Sequence, residues 1–358
     1  MRRLILAIAA ICAVVPTLAQ VFKYVEATGL TIVGKVFPDT PEPYKRIDTE
    51  KYGGWTKKDL GLIDMSSGII CSFRTDAPAI NMRATVVGGW GSNRGDRGFD
   101  LYIKKEGRWL WAGNASIPKG NDEEKECKLI SDMAPGVKEC LVYFPNFSVM
   151  ASVKVGVPEG CSLEAGEKPF KHDIVLYGSS FTHGASATRS GNTLPAFLSR
   201  MTGLQFNSLG VSGDCKMQPQ FLNALKDAKA DAFFFDTFSN PNPKEIRERT
   251  FGFIEGIQST HPGVPLIFIR TIRRENRNFD TKKEAFEAEK MAVADSVMAI
   301  AVKRYKDVYY IKTSDASTAD QETTNDGIHP SDFGYYIWAN NIKKPLLKIL
   351  RKYGIKAR

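Results

Sequence analysis

Two rhythms of apolar and polar positions divide the chain. From about Val21 to Ala165, short runs alternate apolar and polar residues with the period of two expected of a half-buried strand. They include Gly68 to Phe73, Ala79 to Val86, Phe99 to Ile103, Glu139 to Pro145 and Ala151 to Val157. Turn residues separate these runs and no convincing helical period intervenes, so the pattern predicts an all-β sandwich of jelly-roll type. After Lys168 the rhythm changes. Apolar, mostly uninterrupted runs appear at Ile174 to Tyr177, Phe206 to Leu209, Ala232 to Phe235, Leu266 to Ile269 and Val308 to Ile311. Longer amphipathic segments lie between or after them, at Leu194 to Met201, Pro219 to Ala228, Glu245 to Ser259, Lys282 to Arg304 and Tyr335 to Arg351. Buried strands alternating with helices predict βαβ units: a parallel sheet of about five strands with helices on both faces.

Length agrees with that division, because a single core rarely grows past roughly 250 to 300 residues and the chain has 358. With 43% hydrophobic and 25% charged residues it is not a disordered or coiled-coil protein. Arg2 and Arg3, the apolar run Leu4 to Val15, and Pro16-Thr17-Leu18-Ala19 have the layout of a secretory signal peptide over residues 1–19, cut before Gln20. That run is too short to span a bilayer, and Ile11 stands before Cys12 where lipid attachment requires a small residue. No later stretch reads as transmembrane. The expectation is an exported protein, periplasmic or extracellular, with a β-domain over 20–167 and an α/β domain over 168–358.

Loss of the leader reduces the formal net charge from +9 to +7 over 339 residues. A modest basic excess favours acidic partners, but no basic run interleaved with aromatics points to nucleic acid. Cys71, Cys127, Cys140, Cys161 and Cys215 remain; an odd number leaves at least one free thiol, and their spacing matches no metal site. Cys127 and Cys140 flank Ala134-Pro135-Gly136 almost symmetrically, an arrangement that allows a disulfide across a hairpin.

Ligands of open parallel sheets bind outside the carboxyl ends of the strands, so the residues just after each strand come first. The first strand runs into Gly178-Ser179-Ser180-Phe181-Thr182-His183-Gly184, where a sharp turn can expose a serine hydroxyl and aim its N–H at a substrate oxygen. Gly213, after the second strand, can offer an unobstructed N–H, and Asn240, after the third, a side-chain amide. Asp326-Gly327-Ile328-His329-Pro330 precedes the last helix, at a spacing that lets carboxylate and imidazole meet. A serine hydroxyl needs a base at neutral pH, and a base works best with a carboxylate fixing its tautomer. Taken singly, each block also reads as an ordinary turn or helix start.

Jointly the four blocks resemble the SGNH hydrolases, or GDSL esterases, over about residues 170–350. The resemblance implies a flavodoxin-like three-layer α/β/α domain with Ser180 as nucleophile. It also implies Gly213 and Asn240 joining the Ser180 N–H in an oxyanion hole, His329 as general base and Asp326 orienting it, with no cofactor. Ser179 stands where most members have an acid, and no aspartate follows Asn240. Upstream, Gly98-Phe99-Asp100-Leu101-Tyr102 resembles the Gly-x-Asp-Leu-Tyr motif of the β-domain preceding some bacterial SGNH domains. The similar arrangement in some carbohydrate esterases implies removal of acetyl groups from poly- or oligosaccharides.

Asp100 and Tyr102 either contact substrate or hold a hairpin to the adjoining domain; His183 either lines the pocket or starts a helix. Arg270, Arg273, Arg274 and Arg277 follow the fourth strand. They lead to the expectation of an anionic glycan at Arg273 and Arg274, against the alternative of pairing with local acids. Trp55, Trp90, Trp109 and Trp111 are candidates for stacking on sugar rings or for core packing. Three function classes follow: a secreted carbohydrate esterase, an O-acyltransferase using the same serine, and an inactive glycan-binding protein.

Overall fold

The computed structural model describes residues 20–91, 93–120, 122–312 and 317–357; the leader expected at 1–19 lies outside them. The first half contains β1 (Phe22–Glu26), β2 (Thr31–Val33), helix α1 (Lys57–Ile63), β3 (Ile70–Thr75), β4 (Ile80–Gly89), the short α2 (Arg94–Arg97), β5 (Gly98–Lys105) and β6 (Arg108–Ser116). It continues with β7 (Glu124–Ile130), β8 (Lys138–Tyr143), β9 (Ser148–Pro158) and β10 (Glu164–Ala165). One sheet runs β1-β9-β4-β7, and the other runs β10-β3-β8-β5-β6 with β2 also on β3. The chain thus switches sheets repeatedly, with the pairing of a jelly roll. Inward-facing Phe73, Met82, Phe99, Leu101, Val142, Val153 and Val155 fill the space between the sheets, which is why the alternating runs were legible as strands.

The hairpin disulfide does not form. Cys127 pairs in register with Met82 in one sheet, and Cys140 with Phe73 in the other. The segment between β7 and β8 therefore crosses from one sheet to the other, and all five of these cysteines are free thiols.

The second half contains β11 (Lys171–Gly178), α3 (Ser180–His183), α4 (Leu194–Thr202), β12 (Leu204–Gly210), α5 (Pro219–Leu225), β13 (Ala232–Asp236) and α6 (Pro243–Thr260). It ends with β14 (Leu266–Ile269), α7 (Thr281–Arg304), β15 (Val308–Ile311) and α8 (Asp332–Leu350). The strands form one parallel sheet in the order β12-β11-β13-β14-β15, the flavodoxin-like order whose reversal opens a crevice beside β11. Leu194 and Leu198 of α4 and Trp338 and Ile342 of α8 cover one face; Phe221, Phe253 and Val297 of α5 to α7 cover the other. Helix α5 stops three residues before its predicted end, and the chain leaves it through tight turns from Asp227 N–H to Ala224 O and Ala228 N–H to Leu225 O.

One segment departs from the division read along the sequence. Between β2 and β3 the chain leaves the sandwich and lays Val36, Ile47, Tyr52, Leu62 and Ile63 against Val175, Tyr177, Leu209 and Phe221 of the α/β core. Helix α1 lies in it, closed by a capping box: the Asp59 N–H donates to Thr56 Oγ1 (3.1 Å) and the Thr56 N–H to Asp59 Oδ2 (2.8 Å). Arg46, fully buried, donates to the Gly210 and Leu62 carbonyls and ties the segment to the end of β12.

Candidate active site

Strand β11 delivers Gly178 and Ser179 into the crevice. A side chain at Gly178 would place its Cβ 2.0 Å from Thr182 Oγ1 and 2.9 Å from Asp236 Cβ, so the turn admits only glycine. Ser179 caps α3, its Oγ accepting from the Phe181 N–H (3.2 Å) and donating to Asp236 Oδ2 (2.7 Å). The same carboxylate oxygen accepts from the Ser179 N–H (3.1 Å) and Thr182 Oγ1 (3.1 Å). Burial raises the Asp236 carboxyl to about 6, against these hydrogen bonds that favour its ionised form. Sequence reasoning gave Asp236 no role. Its signal was a lone acid at the end of the apolar strand Ala232–Asp236, and it supplies a carboxylate to the turn where Ser179 replaces one.

Ser180, first residue of α3, hydrogen-bonds through Oγ to His329 Nε2 at 3.0 Å, and His329 Nδ1 meets Asp326 Oδ2 at 2.7 Å. An ionised carboxylate only accepts, so the proton sits on Nδ1 and Nε2 can accept from the serine hydroxyl. Asp326 Oδ1 takes the backbone N–H groups of Ile328 (2.9 Å) and His329 (2.7 Å). Burial opposes ionisation of Asp326, yet these bonds and the imidazole contact together hold its pKa below the ordinary value. The loop that carries Asp326 and His329 is closed by Ser331 N–H to Thr323 O (2.7 Å) and Asn325 N–H to His329 O (3.0 Å). This sequence of donors and acceptors can move a proton from hydroxyl to imidazole.

Gly213 lies beyond β12 with φ +68°, left-handed backbone that glycine adopts without strain. Its carbonyl accepts from Lys58 Nζ at 2.9 Å, so α1 reaches the site, a contribution the β-rhythm concealed. Asn240 Oδ1 accepts from the Cys215 N–H at 3.1 Å. That bond ties the Asn240 loop to the Gly213 loop and leaves the Nδ2 donors for another acceptor. Cys215 itself is buried, and burial pushes its thiol well above the ordinary range, which removes its nucleophilic character.

The remaining sequence candidates are placed elsewhere. His183 is fully buried: its Nε2 donates to the Asn146 carbonyl (2.9 Å), its ring stacks on Phe147 at 4.3 Å, and burial lowers its pKa well below the ordinary value. It joins the two domains and is not a pocket residue. Asp100, 1% exposed, accepts from Arg189 Nη1 (2.9 and 3.0 Å), the Gly191 N–H (3.0 Å) and Trp111 Nε1 (2.9 Å). Tyr102 accepts from Arg189 (3.4 Å) and carries the Arg200 guanidinium over its ring at 4.2 Å. Their polar groups are thus consumed in a latch to the loop after α3, which replaces the substrate-contact expectation.

The arginine loop is also spoken for. Arg273 pairs with Glu284 (3.5 Å), Arg274 with Glu287 (2.9 Å), Arg277 with Glu284 (2.5 Å) and Arg270 with Asp295 (3.4 Å). Helix α7 supplies these acids, so each arginine of the loop, Arg273 and Arg274 included, has an acidic partner, with Glu284 shared between Arg273 and Arg277. Trp111 and Trp90 are half exposed, whereas Trp55 packs edge-on against Phe221 at 5.2 Å. No helix among the described residues is long and apolar enough to cross a membrane.

Comparison with known proteins extends these observations. Residues 171–347 match the model of the GDSL-like lipase/acylhydrolase family, and residues 22–163 match the GxDLY N-terminal domain of SGNH-type esterases. No curated protein matches the sequence. A crystal structure of a Bacteroides ovatus protein assigned as a GDSL-like lipase is 38% identical, with a TM-score of 0.87 over 92% of this chain and 98% of that one. The salicylyl-acyltransferase SsfX3 of a tetracycline biosynthetic pathway is 20% identical, with a TM-score of 0.70 over 93% and 98%. A family two carbohydrate esterase from Clostridium thermocellum, in complex with cellohexaose, is 13% identical, with a TM-score of 0.60 over 80% and 93%. With its two domain matches and a 38% identical structure spanned almost end to end, the chain belongs to the GDSL-like lipase/acylhydrolase family, in a form carrying an N-terminal GxDLY β-domain.

Proposed function

We propose that this chain is an exported serine esterase that removes short acyl groups, chiefly acetyl, from carbohydrates. The observation that carries the reading is the unbroken chain from Ser180 Oγ through His329 to Asp326, at 3.0 and 2.7 Å. Ser180 Oγ attacks the acyl carbonyl carbon as His329 Nε2 takes its proton. The negative charge developing on the carbonyl oxygen is met by the N–H groups of Ser180 and Gly213 and by Asn240 Nδ2, which act most strongly in the tetrahedral state. His329 then gives the proton to the departing sugar oxygen. A water molecule, deprotonated by His329, attacks the acyl-serine, and His329 returns that proton to Ser180 Oγ as the acid departs. Carbohydrate as substrate class draws support from the shared two-domain fold of family two carbohydrate esterases.

An O-acyltransferase is the second reading, supported by the fold shared with the salicylyl-acyltransferase; a sugar hydroxyl would then take the place of water. The test incubates the mature protein with acetylated oligosaccharides and with short- and long-chain aryl esters. Acetate release from the sugars, absent in Ser180→Ala and reduced about 10²- to 10³-fold in Asn240→Ala, is the expected result. Unchanged turnover in Ser180→Ala would overturn the assignment. Acyl transfer to an added sugar acceptor in preference to water would select the second reading.

A further inference from the structure

The loop after β14 touches both halves of the catalytic constellation. Glu275, 9% exposed, directs its carboxylate at the chain just before Asp326. Oε1 accepts from Ser317 Oγ (3.0 Å), the Thr323 N–H (2.9 Å) and Thr323 Oγ1 (2.8 Å). Oε2 accepts from the Thr324 N–H (3.1 Å) and Thr324 Oγ1 (2.5 Å). The next residue continues the contact: the Asn276 N–H donates to the Gly327 carbonyl at 2.8 Å. Gly327 packs so closely there that an added Cβ would lie 2.6 Å from Asn276 Cβ.

The preceding residue faces the opposite loop. Arg274 Nη2 donates to the Ser239 carbonyl (2.9 Å) and hydroxyl (3.2 Å), one residue before Asn240, while Nη1 pairs with Glu287. Lys290, 1% exposed, adds a bond to the same Ser239 carbonyl (3.1 Å) and another to Glu287 (2.8 Å). Three consecutive residues thus grip the Asn240 loop on one side and the Asp326–His329 loop on the other.

We propose that Arg274 and Glu275 form a positioning brace that sets the distance between the oxyanion-hole loop and the base-bearing loop. The proposal rests on the catalytic reading above for its effect on rate. Glu275 is an acid for a specific reason. Five donors converge on it, and a carboxylate offers only acceptors, whereas the amide of glutamine would turn its own N–H₂ toward some of those donors. Burial works against its charge, and the converging hydrogen bonds still hold its pKa below the ordinary value. Because His329 serves both the acylation and deacylation steps, loosening its loop slows both.

The experiment compares wild type, Glu275→Gln, Glu275→Asp and Thr324→Val by three measurements. The first is kcat and KM on an aryl acetate, per active site titrated with a fluorophosphonate. The second is the melting temperature. The third is the far-downfield N–H resonance of the His329 imidazole bonded to Asp326, assigned by its loss in His329→Ala. For Glu275→Gln the expected result is a fall in kcat per titrated site of about 10- to 100-fold, with KM within about threefold and a broadened or lost His329 resonance. Glu275→Asp should recover part of the rate. A carboxylate that served only folding would lower the melting temperature and the titrated fraction but leave kcat per titrated site and the resonance unchanged, which overturns the brace. If Glu275→Gln does not fold, Thr324→Val decides by the same readings. If wild type neither titrates nor hydrolyses any ester, the proposed function fails, and the resonance comparison alone still decides the brace.

Discussion

Replacing Asp326 by asparagine separates the orienting role of this carboxylate from its role in holding the loop. Oδ1 accepts two backbone N–H groups, from Ile328 and His329, and Oδ2 faces the imidazole at 2.7 Å. In the variant the amide oxygen keeps the two backbone donors, so Nδ2 must take the position of Oδ2. An N–H₂ there forces His329 Nδ1 to accept and moves the ring proton to Nε2, where it points at Ser180 Oγ instead of receiving its proton. This inversion typically costs about 10⁴ in kcat, or about 5.5 kcal/mol of barrier. KM should change little, since the loss is felt in the transition state. Because both loop-closing bonds survive, the melting temperature should stay near wild type. Aryl acetate hydrolysis, measured beside thermal unfolding, checks both halves. A variant retaining more than a tenth of the wild-type kcat would refute the tautomer argument.

Three further outcomes follow from the geometry. Arg189→Met leaves the buried Asp100 carboxylate without its cation, a loss of the kind that costs about 3 to 5 kcal/mol. Urea unfolding of the variant, and of Arg189→Met with Asp100→Asn, should show partial recovery in the double variant, whereas simple additivity would exclude the coupling. Burial raises Asp236 from 3.8 to about 6, so the native state holds this proton more tightly than the unfolded chain. The stability it contributes is complete below the unfolded value and is lost as pH rises through about 6, an effect of about 3 kcal/mol. Wild type should therefore lose stability relative to Asp236→Asn between about pH 4 and about pH 7, and parallel pH curves for the two proteins would contradict this. Since each arginine of the loop is already paired with an acid of α7, neutral and acidic acetylated oligosaccharides should have similar kcat/KM values with little response to salt. A salt-sensitive preference for the acidic glycan would restore the anionic-substrate reading.

What could be read from the chain follows from how locally each feature is encoded. The run Leu266 to Ile269 coincides with β14, buried at all four positions, because a strand buried on both faces announces itself as an unbroken apolar run. Ser180, Asp326 and His329 were legible because each occupies a strand end or helix start with distinctive neighbours. Asp100 kept two readings open because its cation lies 89 residues away, on the other domain. The arginine loop kept two readings open for a related reason: four like charges look unpaired until Glu284 and Glu287 on α7 are brought beside them. Helix α1 was passed over for its seven residues, although Thr56 and Asp59 spell a capping box that could have marked it. Disulfide pairing failed on topology, since symmetry about a turn says nothing about which sheet each strand enters.

The segment between β2 and β3 also has a consequence for the order of assembly. Arg46 bonds to a carbonyl 164 residues further along the chain, and Val36 and Leu62 pack against strands made later still than the whole β-sandwich. During synthesis, which proceeds from the N-terminus, the sandwich has all its own strands while this apolar stretch still lacks the surface it covers. Contacts so distant in sequence form slowly. Until β12 is in place this apolar stretch stays uncovered, and the same segment brings Lys58 to the Gly213 carbonyl once it packs there.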